Sequence, residues 1–152
     1  MLSNTCKYAL RALIYLGKYS EEDKRIGIKR ISEELGLSSP FLGKILQNLV
    51  KQKLLVSTKG PNGGFYLSKD NSVKTVCDII ENIDGLNRLN DCFLGLHECD
   101  GNNPCPVHFI VEPFKKNILG KFRDKTIVEF AKEISETGRV LTLKDISPKI
   151  PK

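Results

Sequence analysis

A mainly α-helical fold is predicted, with a winged helix-turn-helix first, a small two-stranded wing, and a long helix toward the C-terminus. Apolar residues recur at three- and four-residue intervals through much of the 152-residue chain. Two short periodic segments are joined by the tight turn Gly36-Leu37-Ser38. Two strand-like runs, LLVSTK and GFYLSK, flank KGPNGG, a hairpin turn rich in Gly, Pro and Asn.

In chain order, Ser3 can cap a first helix over about residues 4–19, whose buried stripe is Cys6, Ala9, Leu10, Leu13, Ile14 and Leu16–Gly17. Ser20 to Arg25 is a polar loop. IKRISEELG, residues 28–36, makes a short helix with Ile28, Ile31 and Leu35 on one face, stopped by Gly36. A third helix takes Ser38 or Ser39 as N-cap, carries Pro40 in its first turn and runs to about Gln52. Phe41, Leu42, Ile45, Leu46, Leu49 and Val50 are its expected buried side. After the wing, residues 73–83 read as a fourth helix with Val73, Val76, Cys77, Ile80 and Ile83 inward, closed by Asp84-Gly85. Leu86 to Pro106 has no clear period. Pro106 opens the long helix, which Pro113 is expected to bend or interrupt. Thr126 and Glu129 form a capping box for the last helix, TIVEFAKEI, and the tail DISPKIPK is expected to be mobile.

The charge is unevenly placed. Residues 1–69 carry twelve Lys and Arg against five Asp and Glu, whereas residues 70–152 carry twelve against thirteen. A basic half is the footprint expected of binding to a phosphate backbone, although many basic faces are merely solvated. No apolar run is long enough to span a membrane. Lys7 and Arg11 interrupt the N-terminal apolar residues, which have amphipathic-helix spacing rather than that of a signal peptide. A cytoplasmic protein without a membrane partner is expected.

Five cysteines, an odd number without a secretion signal, disfavour a disulfide framework. Cys6 and Cys77 fall on apolar helix stripes and read as core residues. Cys92, Cys99 and Cys105 instead stand on an irregular loop of Gly, Asn, Asp and Pro, where packing has no use for three thiols. Thiolates suit zinc and iron–sulfur clusters. Zinc sites usually draw on tight Cys-x2-4-Cys knuckles; the wider C-x6-C-x5-C spacing suits the larger cluster, with zinc or a redox thiol switch as alternatives. His108, three residues after Cys105, reads either as a fourth ligand or as a solvent-bonded helix-start histidine. His97 is a weaker rival. Asp91, Glu98 and Asp100 read as solvated carboxylates.

YALRALIYL, the segment from ISEELG through GGFYLSK, VCDIIENIDG and NPCPVH together resemble the bacterial IscR/NsrR-type regulators over nearly the whole chain. The resemblance implies residues 1–70 as a winged helix-turn-helix DNA-binding domain. It implies residues 71–152 as a linking helix, a cluster loop (92–108) and a dimerisation helix region. It further implies a homodimer on a pseudo-palindromic duplex operator, and a 2Fe–2S or 4Fe–4S cluster on Cys92, Cys99 and Cys105. His108 matches the histidine that serves some members as fourth ligand. Others use a carboxylate early in the first helix, where this chain has Lys7. On the reading surface Gly43-Lys44 replaces a glutamate–glutamine pair, so the operator should differ. The wing's minor-groove residue would be Lys59.

The expected DNA contacts are therefore Ser38, Ser39, Lys44 and Gln47 in the major groove, with Lys59 and the Pro61–Gly64 turn, Gly63 included, along the backbone or minor groove. The protein is expected to be a cluster-controlled transcriptional regulator. An iron–sulfur carrier would leave the basic winged half without a purpose. An enzyme is disfavoured, because no catalytic constellation stands out.

Overall fold

The computed structural model describes residues 2–96 and 100–138. Cys99, His97 and the C-terminal tail lie outside the described residues. Helix α1 spans Asn4–Tyr19. Ser3 Oγ accepts the Cys6 amide at 3.0 Å, giving the first turn its cap. Ser3 is itself held by Asp84, which accepts its N–H at 2.7 Å and its hydroxyl at 2.5 Å. Helix α2 (Ile28–Leu35) stops at Gly36, whose φ of 67° places it in the left-handed region. Helix α3 covers Ser39–Lys51, with Pro40 in its first turn. Leu42, Ile45, Leu46 and Leu49 join Leu13, Leu16, Ile31 and Leu35 in one buried core. Burying a leucine there contributes about 2 kcal/mol.

Strands β1 (Val56–Thr58) and β2 (Gly64–Tyr66) pair antiparallel, with Ser57 opposite Phe65. The strand-like runs are thus longer than the pairing. Leu54 and Leu55 turn inward from α3, and Ser68 caps a short helix α4 (Lys69–Ser72) in a capping box with Asn71. Ile26 and Phe65 exchange backbone hydrogen bonds of 3.0 and 2.9 Å, which pin the wing to the segment before α2.

Helix α5 is Val76–Ile83, α6 is Asn87–Asn90, α7 is His108–Asp124 and α8 is Ile127–Glu136. Three expectations are corrected here. Val73 is 66 % exposed rather than buried, because the Thr75–Asp78 capping box starts α5 at Val76 and takes Val73 off the helical period. Phe41 is 40 % exposed; it overhangs the first turn of α3 and meets the Tyr8 ring edge-on at 5.5 Å. Pro106 lies in a turn before α7, which begins at His108 and runs uninterrupted through Pro113. A proline in the second turn forfeits one intrahelical bond, not the helix.

The Thr126–Glu129 capping box opens α8 as expected. A bridge between Thr75 and Thr126 joins the starts of α5 and α8: Val76 N–H donates to Lys125 at 3.0 Å and Ile127 N–H to Lys74 at 2.9 Å. Helix α8 lies against α1 at Gly17, where a Cβ would stand 3.5 Å from that of Ala131. No described helix is long and apolar enough to cross a membrane.

Candidate nucleic-acid interface and thiol site

Along α3 the buried leucines and isoleucine define the inner face, so Pro40, Lys44, Gln47, Asn48 and Lys51 share the exposed one. Lys44 and Gln47, three residues apart, are neighbours on it. Ser38 is exposed at the N-cap, and its side chain makes no cap bond. Its hydroxyl is therefore not committed to the helix. Ser39 is half-buried. Asn48, four residues after Lys44, lies on the same exposed face. A Cβ at Gly43 would lie 3.2 Å from Ile28 Cδ1, a close approach between α2 and α3.

The wing turn is closed by Gly63 N–H donating to Gly60 at 2.9 Å, with Pro61 and Asn62 between. A side chain at Gly63 would stand 2.4 Å from the Thr58 carbonyl oxygen, so only glycine closes this turn. Lys59 and Pro61 are exposed at its edge. The recognition face and wing edge thus carry Lys44, Lys51 and Lys59 with small or polar residues between, a surface suited to a phosphate backbone.

In the second half the structure places Cys92, Cys105 and His108, while Cys99 lies outside the described residues. Cys92 is 7 % exposed. The backbone N–H groups of Leu94 and Leu96 lower its thiol pKa, Cys105 and Lys115 helping, while burial opposes them. Half-buried Cys105 is the second thiol placed in this loop. Lys115 Nζ donates to the Asp91 carbonyl, tying the loop to α7. His108, 3 % exposed, donates its backbone N–H to the Cys105 carbonyl at 3.0 Å. Its Nε2 stands 3.7 Å from Glu112 Oε2, and a Cβ on Gly101 would come within 3.9 Å of it. Among the described residues no three ligating side chains converge on one point. The donor chemistry fits a soft-metal group: a thiol already inclined to ionise, a second in the same loop, and a buried imidazole one turn on. Cys6 and Cys77 are buried, as expected of core thiols.

The fold and these surfaces define a winged helix-turn-helix transcriptional regulator. The chain belongs to the Rrf2 family, described as iron-dependent transcriptional regulators, whose model matches residues 2–133. An HTH-type transcriptional regulator of Aquifex aeolicus (strain VF5) is 36% identical over 129 residues, covering 84% of this chain and 88% of that protein. IscR of Yersinia pseudotuberculosis serotype O:1b (strain IP 31758) is 29% identical over 128 residues, covering 84% and 77%. CymR, the global cysteine regulator of B. subtilis, shares the fold with a TM-score of 0.67 at 19% identity, over 88% of this chain and 97% of that one.

Proposed function

We propose that this regulator binds duplex operator DNA as a homodimer, and that an iron–sulfur cluster, 2Fe–2S or 4Fe–4S, sets its grip. Cys92, Cys99, Cys105 and His108 would hold the cluster. Ser38, Ser39, Lys44 and Gln47 enter the major groove, while Lys59, Pro61 and Gly63 follow the backbone or minor groove. The observation that carries the reading is Cys92: a buried thiol whose pKa two backbone amides pull down is prepared to act as a thiolate ligand. When bound, the cluster supplies a centre whose occupancy or oxidation state can change. The exposed apolar side chains of α7, Phe109 at 72 % and Ile110 at 75 %, with Phe114, support pairing of two α7 helices. The loop is tied to α7 at Cys105 through the His108 amide and at Asp91 through Lys115, so ligation there would bear on the spacing of two recognition helices.

Protein purified without oxygen should be coloured and contain iron and sulfide, and Cys92→Ala should lose the colour. A colourless, iron-free wild type sinks the reading. So does Cys92→Ala that binds operator DNA like the wild type in every cluster state.

One observation favours a second reading, a thiol switch: Cys105 is among the groups that lower the Cys92 thiol pKa, so two thiols of the loop act on one another. A peroxide would take two electrons from the two thiols, forming one S–S bond and two waters. Intact mass spectrometry after mild peroxide would then show a loss of two hydrogens in iron-free protein. Unchanged mass excludes this alternative.

A further inference from the structure

Helix α3 ends in a Schellman motif: Lys53 N–H donates to Val50 at 3.0 Å and Leu54 N–H to Leu49 at 2.9 Å. The motif requires one left-handed residue, and glycine adopts that conformation at least cost. This chain puts Lys53 there, at φ 57°, the one non-glycine residue with positive φ among those described. Asn71 fixes the strained peptide. Its Nδ2 donates to the Lys53 carbonyl at 2.8 Å, while its Oδ1 accepts the Ser68 hydroxyl at 2.9 Å. A lysine kept where glycine would be cheaper points to a use for its side chain.

That side chain lines a solvent-open groove of about 490 Å³ between the end of α3, β1 and α4. Val50, Leu55 and Val56 give it an apolar floor; Lys53, Lys74 and Asp70 supply its charges. The groove lies at the end of β1 away from the wing turn. Lys59 is three residues beyond Val56, about 10 Å along an extended strand. An occupant would leave the wing tip free.

We propose that this groove docks an acidic segment of a partner protein. One carboxylate side chain meets Lys53 and Lys74, and a neighbouring aliphatic side chain lies on Val50, Leu55 and Val56. Charge favours the occupant: two cations against one carboxylate leave the groove positive, complementary to an acidic side chain. An open groove beside a strand admits an extended chain. The inference stands apart from the cluster reading, since none of the residues lining the groove belongs to the thiol loop.

The test is a nuclear magnetic resonance titration of the full ¹⁵N-labelled chain with an acetylated hexapeptide alternating glutamate and leucine. Saturable shifts are expected at Lys53, Lys74 and the Asn71 side-chain amide, and none from the alternating lysine–leucine peptide. Lys53→Gly should weaken the peptide about threefold, and the double variant Lys53→Gly/Lys74→Gln roughly tenfold. Lys53→Gly should meanwhile raise Tm by about 3 °C, since glycine relieves the left-handed strain. Tighter folding with weaker binding separates a docking residue from a structural one. Shifts that do not saturate or fall elsewhere overturn the proposal, as does Lys53→Gly binding like the wild type. Equal shifts from hexanoate or duplex DNA overturn it too, because they reassign the groove to small carboxylates or to the operator.

Discussion

Replacing Gly63 by alanine tests how firmly the wing tip is built. The new Cβ would lie 2.4 Å from the Thr58 carbonyl oxygen and 2.9 Å from that of Gly60, both backbone atoms. Carbon–oxygen contacts relax to roughly 3.4 Å, so the turn must give by about 1 Å. Overpacking of that kind costs about 2 kcal/mol, and opening the 2.9 Å Gly63–Gly60 bond adds about 1 kcal/mol. Only three residue pairs hold β1 to β2, so unpairing the wing is cheaper than straining the core. The expected result is therefore local: Tm falls by a few degrees, wing amides lose hydrogen-exchange protection, and Lys59 loses its fixed position. In a salt-dependent gel-shift assay the variant should bind duplex DNA severalfold more weakly. Gly60→Ala is the control. Its φ of 103° makes a side chain strained, by about 1 kcal/mol, but no atom lies within 4 Å of the added Cβ. A Gly63→Ala protein that exchanges and binds like the wild type would refute the rigid-wing argument.

Ser38→Ala should leave Tm nearly unchanged, because no cap bond is lost, yet weaken operator binding severalfold; Ser3→Ala, losing the Cys6 cap bond and the Asp84 hydroxyl contact, should cost about 1–2 kcal/mol in urea melts. Burial, then the Asp84 charge, pushes the Cys6 thiol up to about 12 from 9.0, so above pH 9 the unfolded chain binds fewer protons. Stability should then fall by up to about 1.4 kcal/mol per pH unit, until the folded thiol ionises. Alkaline urea melts of Cys6→Ala should show a flatter slope; an unchanged slope assigns the loss to other groups. The Thr126 amide and hydroxyl hold the Glu129 carboxyl below its usual range, so its contribution is present above the ordinary glutamate pKa and lost as pH falls through the lowered one. Glu129→Gln should narrow the acid-range difference in Tm, and a difference left intact would contradict that assignment.

What could be read from the sequence was local. Ser3, Gly36, Pro40 and the Thr126–Glu129 pair mark helix ends through bonds within one turn, so α1, α2, α3 and α8 were legible. Cys6 and Cys77 sit in the core because a helical period places them there. The period misled at Phe41 and Val73, which lie at or before a helix start, where the inner face is not yet defined. Helix α6 is too short to carry a period. The Ile26–Phe65 bridge and the seat of α8 on α1 join residues far apart in the chain, and no local pattern encodes them. At the site, Cys105 and His108 are neighbours through one turn. The surroundings of Cys92, with Leu94 and Leu96 amides and Cys105 acting on its thiol, depend on how an aperiodic loop folds back.

Fixed contacts join that loop to α3. Lys115 ties α7 to the residue before Cys92. Helix α7 ends at Asp124, and the bonds of Lys125 and Ile127 to Val76 and Lys74 fasten that end to the start of α5. The far end of α5 carries Asp84, which grips Ser3 at the start of α1. Helix α8 meets α1 again at Gly17, and α1 shares its core with α3. A tilt of α7 therefore reaches α1 at both ends, through hydrogen bonds at one and packed side chains at the other. Under the proposed reading, Asp84→Ala removes one of these two couplings without touching ligand or DNA residues. It should keep the colour and bind operator, but narrow the affinity ratio between cluster-loaded and cluster-free protein. Allosteric couplings of this kind are worth about 1–3 kcal/mol, so losing one of two links should reduce the ratio severalfold. A ratio unchanged in Asp84→Ala would remove the Asp84–Ser3 contact from the path and leave α8 as the connection between loop and DNA reader.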